Sequence, residues 1–520
     1  MSQDKTEEVA LVAPGNARGT EVVIGLVGAI GVDMDVVQRQ IAWCLKNVGF
    51  QAIPIHLSQL MKDVPGFELP EPAKSTHYDE MVEGLMDAGS DLRDRFGGNA
   101  MAQLAILAIM RERHARNSTD VPLDRRAFVL RQLKHPDEVS LLREVYGESF
   151  FLFAAYCPRD KRLHNLTERI RRSRNRHHGE DFEALAVRLM KKDEEEPERK
   201  FGQQVRSTFW RGDAYINAVT EESARTQIQR IIHLWFGELF VTPSRDEFGM
   251  FCARAAAVRS GCMGRQVGAC IATPEGSVIA TGTNEIPRSG GGQYWEGDSG
   301  DARDHILGFD SSEAMRRELL ADVIERLEAE GWSPPEDREG TTTPSVAETL
   351  FQSDTFNRAE IQALTEYQRP VHAEMAALCD AALRGVSVAG CTLYATTFPC
   401  HGCARHIVAS GISRVVYIEP YAKSLVKTLY GDSVAVDDDA QDGRVRFVPF
   451  IGLAPRRYLG FFRAGERKDE SGNRSEWDAQ TAIPRVANWE SWLAIEKENR
   501  IADDIRQHIE KVNNGKENGQ

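Results

Sequence analysis

Between positions 21 and 56 the chain passes from an unbroken apolar run into a helical repeat. Glu21-Val-Val-Ile-Gly-Leu-Val-Gly28 is apolar at consecutive positions, the pattern of a strand covered on both faces. It leads into the glycine turn Gly28-Ala-Ile-Gly31-Val-Asp33. Val36, Val37, Ile41, Leu45 and Val48 then recur at helical spacing and predict a helix over 35–48. Gln51–Ile55, Ala127–Arg131 and Phe150–Ala154 read as further inner strands separated by helical segments, with another helix over 220–235. Strand and helix alternating in this way predict a parallel α/β sheet.

From Arg245 the pattern changes. Phe248–Arg259 is an apolar-faced helix. Arg265–Ile271 and Val278–Asn284 are strands joined by the turn Thr273–Ser277. An insertion over about 300–365 carries a charged helix at 312–331. Further strands are expected at Cys391–Ala395 and Arg414–Ile418. This order predicts a three-layer α/β/α sandwich. The domain reading is a disordered segment 1–20, a first α/β domain 21–240, a second 245–465, and a tail 466–520. In the tail a polar loop precedes an amphipathic helix whose Trp492, Leu493, Ile501, Ile505 and Ile509 keep helical spacing. That helix is expected to dock on its own chain.

Composition narrows the function classes. The 520 residues are 42% hydrophobic and 27% charged, ordinary for a globular chain. No apolar run approaches the ~18 residues needed to span a bilayer, and the polar, acidic first residues do not read as a signal peptide. The nine cysteines are scattered rather than framed, which points to a reduced, cytoplasmic protein. A net charge of −14 disfavours general nucleic-acid binding, which calls for a basic surface. A small anionic substrate is unaffected, because it meets only the field of its pocket.

The chemistry is concentrated in two short blocks, Val371-His-Ala-Glu374 and Phe398-Pro-Cys-His-Gly-Cys403. The C-x-x-C spacing lets Cys400 and Cys403 grip one tetrahedral Zn²⁺. His372 supplies a third ligand and leaves the fourth position to water. Glu374 is then a free carboxylate beside that water, able to move its protons. Cysteines at the start of a helix over 400–410 would be favoured as thiolates by its dipole. The order H-x-E…P-C-x-x-C is the signature of zinc nucleobase deaminases. Two blander readings are a structural zinc knuckle closed by His401 or His406 and a redox C-x-x-C. The first has no use for Glu374, and the second lacks thioredoxin-like surroundings.

The glycine turn has the layout of a phosphate-binding loop, with Gly25, Gly28, Gly31 and Asp33 as candidate nucleotide-binding residues. The loop is degenerate. The lysine and hydroxyl of a Walker A motif are absent, so kinase catalysis through it is excluded. An arginine-rich segment, Arg159 to Arg176, reads as a lid over phosphates.

On Arg259-Ser260, Arg265-Gln-Val-Gly-Ala269, Thr281-Gly-Thr-Asn284, His372-Ala-Glu374, Pro399-Cys-His-Gly-Cys403 and Glu419-Pro-Tyr421, residues 245–465 resemble the deoxycytidylate branch of the cytidine/deoxycytidylate deaminase superfamily. The resemblance implies His372, Cys400 and Cys403 as zinc ligands and Glu374 as proton shuttle. It also implies Asn284 against deoxyribose and base, Arg265 near phosphate, and Tyr421 packing on substrate. A degenerate P-loop kinase-like domain fused to such a deaminase, over roughly 20–465, resembles the bacterial anti-phage dCTP deaminases. That resemblance implies conversion of deoxycytidine nucleotides to deoxyuridine nucleotides, starving phage DNA synthesis of dCTP. It also implies a homo-oligomer, and an N-terminal domain that reads a regulatory nucleotide or an inhibitory RNA. Val32-Asp33 stands where family members often carry a hydroxyl residue. The 300–365 insertion has no counterpart in minimal deoxycytidylate deaminases. The alternatives are a deaminase that edits RNA or single-stranded DNA and a housekeeping dCMP deaminase.

Overall fold

The apolar residues of β1 (Glu21–Gly28) are buried on every position, as a central parallel strand requires. A computed structural model describes residues 20–117, 122–174, 181–332, 343–353, 356, 359, 361, 364, 367–419, 424–437, 442–463, 465–485 and 491–517. The expected disordered segment lies, but for residue 20, outside them. The chain divides into two compact units, Met1–Thr242 with Ile451–Gln520, and Pro243–Phe450.

In the first unit, α1 (Met34–Asn47), β2 (Gln51–His56), α2 (Tyr78–Phe96), α3 (Ala100–Asn117), β3 (Arg126–Arg131), α4 (Pro136–Tyr146), β4 (Phe150–Tyr156), α5 (Arg159–Ser173), α6 (Phe182–Glu194), β5 (Ala214–Asn217) and α7 (Glu221–Trp235) follow β1. The parallel order is β2-β3-β1-β4-β5, and the two-residue strand Gly452–Leu453 pairs antiparallel with β5. Val22, Ile24 and Leu26 pack with Val37, Ile41 and Leu45 of α1 and Ile228 and Trp235 of α7. Residues 451–465, read from sequence as part of the second domain, belong here. Leu453 and Phe461 enter this core, and Arg457 donates from Nε to Asp213 at 3.0 Å and from Nη2 to the Phe150 carbonyl at 2.8 Å.

The helix Ser491–Glu517 is fastened to the same unit. Its Ala494, Ile501 and Ile505 are buried, and Glu498 meets the Arg113 guanidinium, which also binds Glu21 at 2.6 Å. All three charged side chains are buried.

In the second unit, α8 (Arg245–Ala257) opens with a capping box between Ser244 and Glu247. Next come β6 (Gly268–Ala272), β7 (Val278–Thr283), α9 (Ser311–Ala329), α10 (Thr343–Phe351), α11 (Ala373–Leu383), β8 (Thr392–Thr397), α12 (His401–Ala409), β9 (Arg414–Glu419), β10 (Val434–Val436) and β11 (Val445–Pro449). The sheet order is β10-β11-β9-β8-β6-β7, antiparallel at β6–β7 and β6–β8 and parallel elsewhere.

Two glycines show how helices cover both faces. A Cβ on Gly268 would lie 2.0 Å from the Ala253 carbonyl of α8, and one on Gly282 would lie 2.1 Å from the Ala373 carbonyl of α11. Gly268 pairs with Thr283 and Gly282 with Ala269, so the two glycines face opposite sides. This unit is therefore an α/β/α sandwich, and α11 is pressed directly onto β7. The insertion forms its own small core from Leu320, Ile324, Val346, Ala347 and Phe351. Among the described residues no helix is long and apolar enough to cross a membrane.

Candidate metal centre and the loop after β1

Both chemical blocks sit at helix starts. His372 is the N-cap of α11, and Cys400 is the N-cap of α12, its Sγ accepting from the Cys403 amide at 3.4 Å. Partial positive charge at a helix N-terminus favours thiolate there. The His372, Cys400 and Cys403 ligand atoms lie within 4.8 Å of one another. His372 Nδ1 is 3.4 Å from Cys400 Sγ and 3.3 Å from Cys403 Sγ. The opposite ring nitrogen, Nε2, is 2.5 Å from Gln368 Oε1. An amide oxygen accepts only, so Nε2 carries the proton and Nδ1 keeps its lone pair for a metal.

Hydrogen bonding from Cys403, aided by His372, lowers the Cys400 thiol to about 4. Hydrogen bonding with Cys400 and burial raise the Cys403 thiol, which is also 3.5 Å from Glu374 Oε2. One imidazole nitrogen with a free lone pair and two converging sulfurs, one easily ionised, fit a single Zn²⁺. Among the described residues neither His401 nor His406 joins the cluster. Three protein ligands with an open fourth position is the donor set of a catalytic zinc site.

Glu374, in the first turn of α11, is buried beside this cluster. Burial raises its carboxyl above the ordinary range, with His372 opposing. A buried carboxyl whose proton affinity is raised, set beside a metal cluster, suits general acid–base work.

The cluster opens into a cavity of about 280 Å³ that Arg265, Asn284, Pro370 and Phe398 also line. The Asn284 side chain is engaged by backbone at both ends: Oδ1 accepts from the Val267 amide at 2.7 Å, and Nδ2 donates to the Arg265 carbonyl at 2.7 Å. It shapes the cavity wall by fixing residues 265–267. Arg265 reaches the cavity with its side chain 61% exposed and ion-paired to Glu419. Tyr421 lies outside the described residues. Sequence reasoning missed Gln368 and the insertion residues Asp304, Asp310, Ser312 and Arg316, all of which line the cavity. None belongs to a spacing motif that would mark it.

The candidate nucleotide loop is built differently from the sequence picture. Gly25 lies mid-strand against Leu133, Phe150 and Leu152, while Gly28 ends β1. Asp33 caps α1 by accepting from the Val36 amide at 3.2 Å. Gly31 has φ +92°, and a Cβ there would lie 2.5 Å from the Arg162 carbonyl. The Ile30 amide donates to Asp193 Oδ2 at 2.7 Å, and Lys134 Nζ lies 2.5 Å from Asp193 Oδ1. Arg162 and Asn165 of α5 donate to the Ile30 and Gly31 carbonyls at 3.4 and 3.1 Å. Arg169 pairs with Asp33 at 3.6 Å and Arg174 with Asp79 at 2.6 Å. The arginine-rich helix thus packs on the loop and bonds to the chain's own groups.

Comparison with known proteins bears on the second unit. Residues 243–419 match the model of the cytidine and deoxycytidylate deaminase zinc-binding region. The chain is 46% identical over 54 residues to the deoxycytidylate deaminase of Enterobacteria phage T2, covering 10% of this chain and 29% of that protein. It is 39% identical over 62 residues to ComE operon protein 2 of Bacillus subtilis (strain 168), covering 11% of this chain and 33% of that one. The chain thus matches a third or less of the length of these relatives. A crystal structure of dCMP deaminase from the cyanophage S-TIM5 with dCMP and dUMP is 19% identical, covering 40% of this chain and 98% of that one at a TM-score of 0.22. Residues 243–419 thus match a cytidine and deoxycytidylate deaminase zinc-binding region, and the His372, Cys400 and Cys403 cluster inside it supports one Zn²⁺.

Proposed function

We propose that the chain is a zinc-dependent hydrolytic deaminase of free deoxycytidine nucleotides, converting dCTP to dUTP and dCMP to dUMP. Water replaces the C4 amine, so the products are the uracil nucleotide and ammonia. The observation that carries the reading is the buried Glu374 carboxylate beside a three-ligand cluster at the floor of a nucleotide-sized cavity. When bound, Zn²⁺ supplies the Lewis acidity that makes water a nucleophile near neutral pH. Glu374 takes the proton from that water and delivers protons to the ring and the departing amine. Gln368 fixes the His372 tautomer, and Asn284 holds the wall over which the base enters. The dCTP preference, the anti-phage role, control through the first unit, assembly into a homo-oligomer and a cytoplasmic setting rest on the family resemblance.

The test is zinc-loaded full-length protein incubated with deoxycytidine, dCMP, dCTP, CMP, CTP and a cytidine-containing oligonucleotide. Ammonia and uracil products are followed. Deoxycytidine nucleotides are turned over and the oligonucleotide is not; the reverse result, or no turnover at all, rejects the proposal. Glu374→Ala abolishes turnover while zinc content stays at one per chain, and Cys400→Ala loses the metal as well.

A further inference from the structure

The cavity above the metal centre contains two cations, Arg265 and Arg316, and three carboxylates, Asp304, Asp310 and Glu374. Nearly all of these charges are already answered within the chain. Arg265 pairs with Glu419. Asp304 pairs with Arg369 at 2.6 Å. Asp310 Oδ1 caps α9, accepting from the Ser312 and Glu313 amides at 2.9 and 3.0 Å. Glu374 belongs to the metal cluster.

Arg316 is the exception. Its Nε is buried without a hydrogen-bond partner, and it forms no ion pair with any described residue. Its neighbour Arg317 is, by contrast, bonded to Glu313 and Glu348 and stacked 4.3 Å over Phe351. An unpaired buried donor on a guanidinium costs free energy unless a ligand completes it. Arg316 sits in the second turn of the 19-residue helix α9.

We propose that Arg316, supplied by the insertion, binds the phosphate of the nucleotide substrate and sets the preference for nucleotide over nucleoside. This rests on the deaminase reading above and extends it. The guanidinium fork matches phosphate oxygens bidentately. The pairing of α9 with α10 through Leu320, Ile324, Val346 and Phe351 holds the helix that carries it. In this view the insertion is a substrate-reading element, contributing a cavity cation that is not already paired as Arg265 is with Glu419.

The experiment combines kinetics with equilibrium binding on zinc-loaded full-length protein. Arg316→Ala lowers the ratio of kcat/KM for dCMP and dCTP to that for deoxycytidine about 10- to 100-fold, chiefly through KM, as expected for losing a charge-assisted phosphate contact. Arg316→Lys falls between, and Arg317→Ala leaves the ratio at the wild-type value. Binding of dCMP and dCTP to the Glu374→Ala background weakens by a similar factor when Arg316→Ala is added. Unchanged binding and an unchanged ratio overturn the proposal. Nucleotide binding that depends on Arg316 in a protein without turnover upholds it while rejecting the deaminase reading. A wild-type protein that binds none of the nucleotides overturns both.

Discussion

Gln368 is not one of the three clustered ligand residues, yet it decides which nitrogen of His372 is available. With Nε2 protonated toward Gln368 Oε1 at 2.5 Å, Nδ1 points its lone pair at the two sulfurs. Gln368→Ala frees the ring to change tautomer and rotate. Partners that orient metal ligands are worth about 10- to 100-fold in affinity, so the variant should hold zinc that much more weakly in competition with a chromophoric chelator. Equal affinity would show that α11 alone fixes the ring. The ligands themselves were legible in the sequence because each block is a local spacing, H-x-E and C-x-x-C. Gln368 was not, because its contact depends on how an irregular segment folds back before α11. Arg316 was hidden for the same reason, one more arginine in a charged helix until the fold brings it to the cavity. Gly25 illustrates the opposite error: glycines spaced along an apolar run do not reveal which lie in the strand and which in the turn.

At the scale of elements, the helix Ser491–Glu517 was legible through its apolar spacing, and its attachment was not. The link is ionic: Glu498 reaches Arg113 of α3, which holds Glu21 at the start of β1. Two carboxylates share one guanidinium out of water, and burial raises the Glu498 carboxyl above its ordinary range. Arg113→Ala strands both carboxylates and should cost about 3–5 kcal/mol in denaturant unfolding of the full chain. Glu498→Gln keeps one acceptor oxygen for Arg113 while removing the surplus charge, so its cost should be smaller. Equal losses in the two variants would mean that packing by Ile501 and Ile505, rather than charge, fastens the helix. The strand Gly452–Leu453 explains the misplaced domain boundary. A two-residue edge pairing has no periodicity to read, yet it and Arg457 place 451–463 in the first unit.

For the molecule as a whole, the division into units gives metal removal a local signature. His372, Cys400 and Cys403, the candidate zinc ligands, and Glu374 belong to Pro243–Phe450. A metal that binds only the folded unit stabilises it by about 3 kcal/mol when free zinc stands near 100 times its Kd. Chelation should therefore speed amide hydrogen exchange in α11, α12 and the strands β6 to β9. Peptides from β1 to β5 should keep their protection. Uniform loss of protection in mass-spectrometric exchange would show that the two units unfold as one.

The carboxylate of Asp193 on the Ile30 amide gives the first unit a built-in competitor. A phosphate arriving at that turn would meet an anion of like charge already seated, neutralised by Lys134 and carried on the same chain. Such a rival cannot be diluted away: its effective concentration is fixed by the fold, not by the amount of protein present. Apparent affinity for any phosphate at that amide is scaled by the fraction of molecules in which α6 has let go. Any anion offered to the turn after β1 would therefore first have to displace a carboxylate about 160 residues further along the chain.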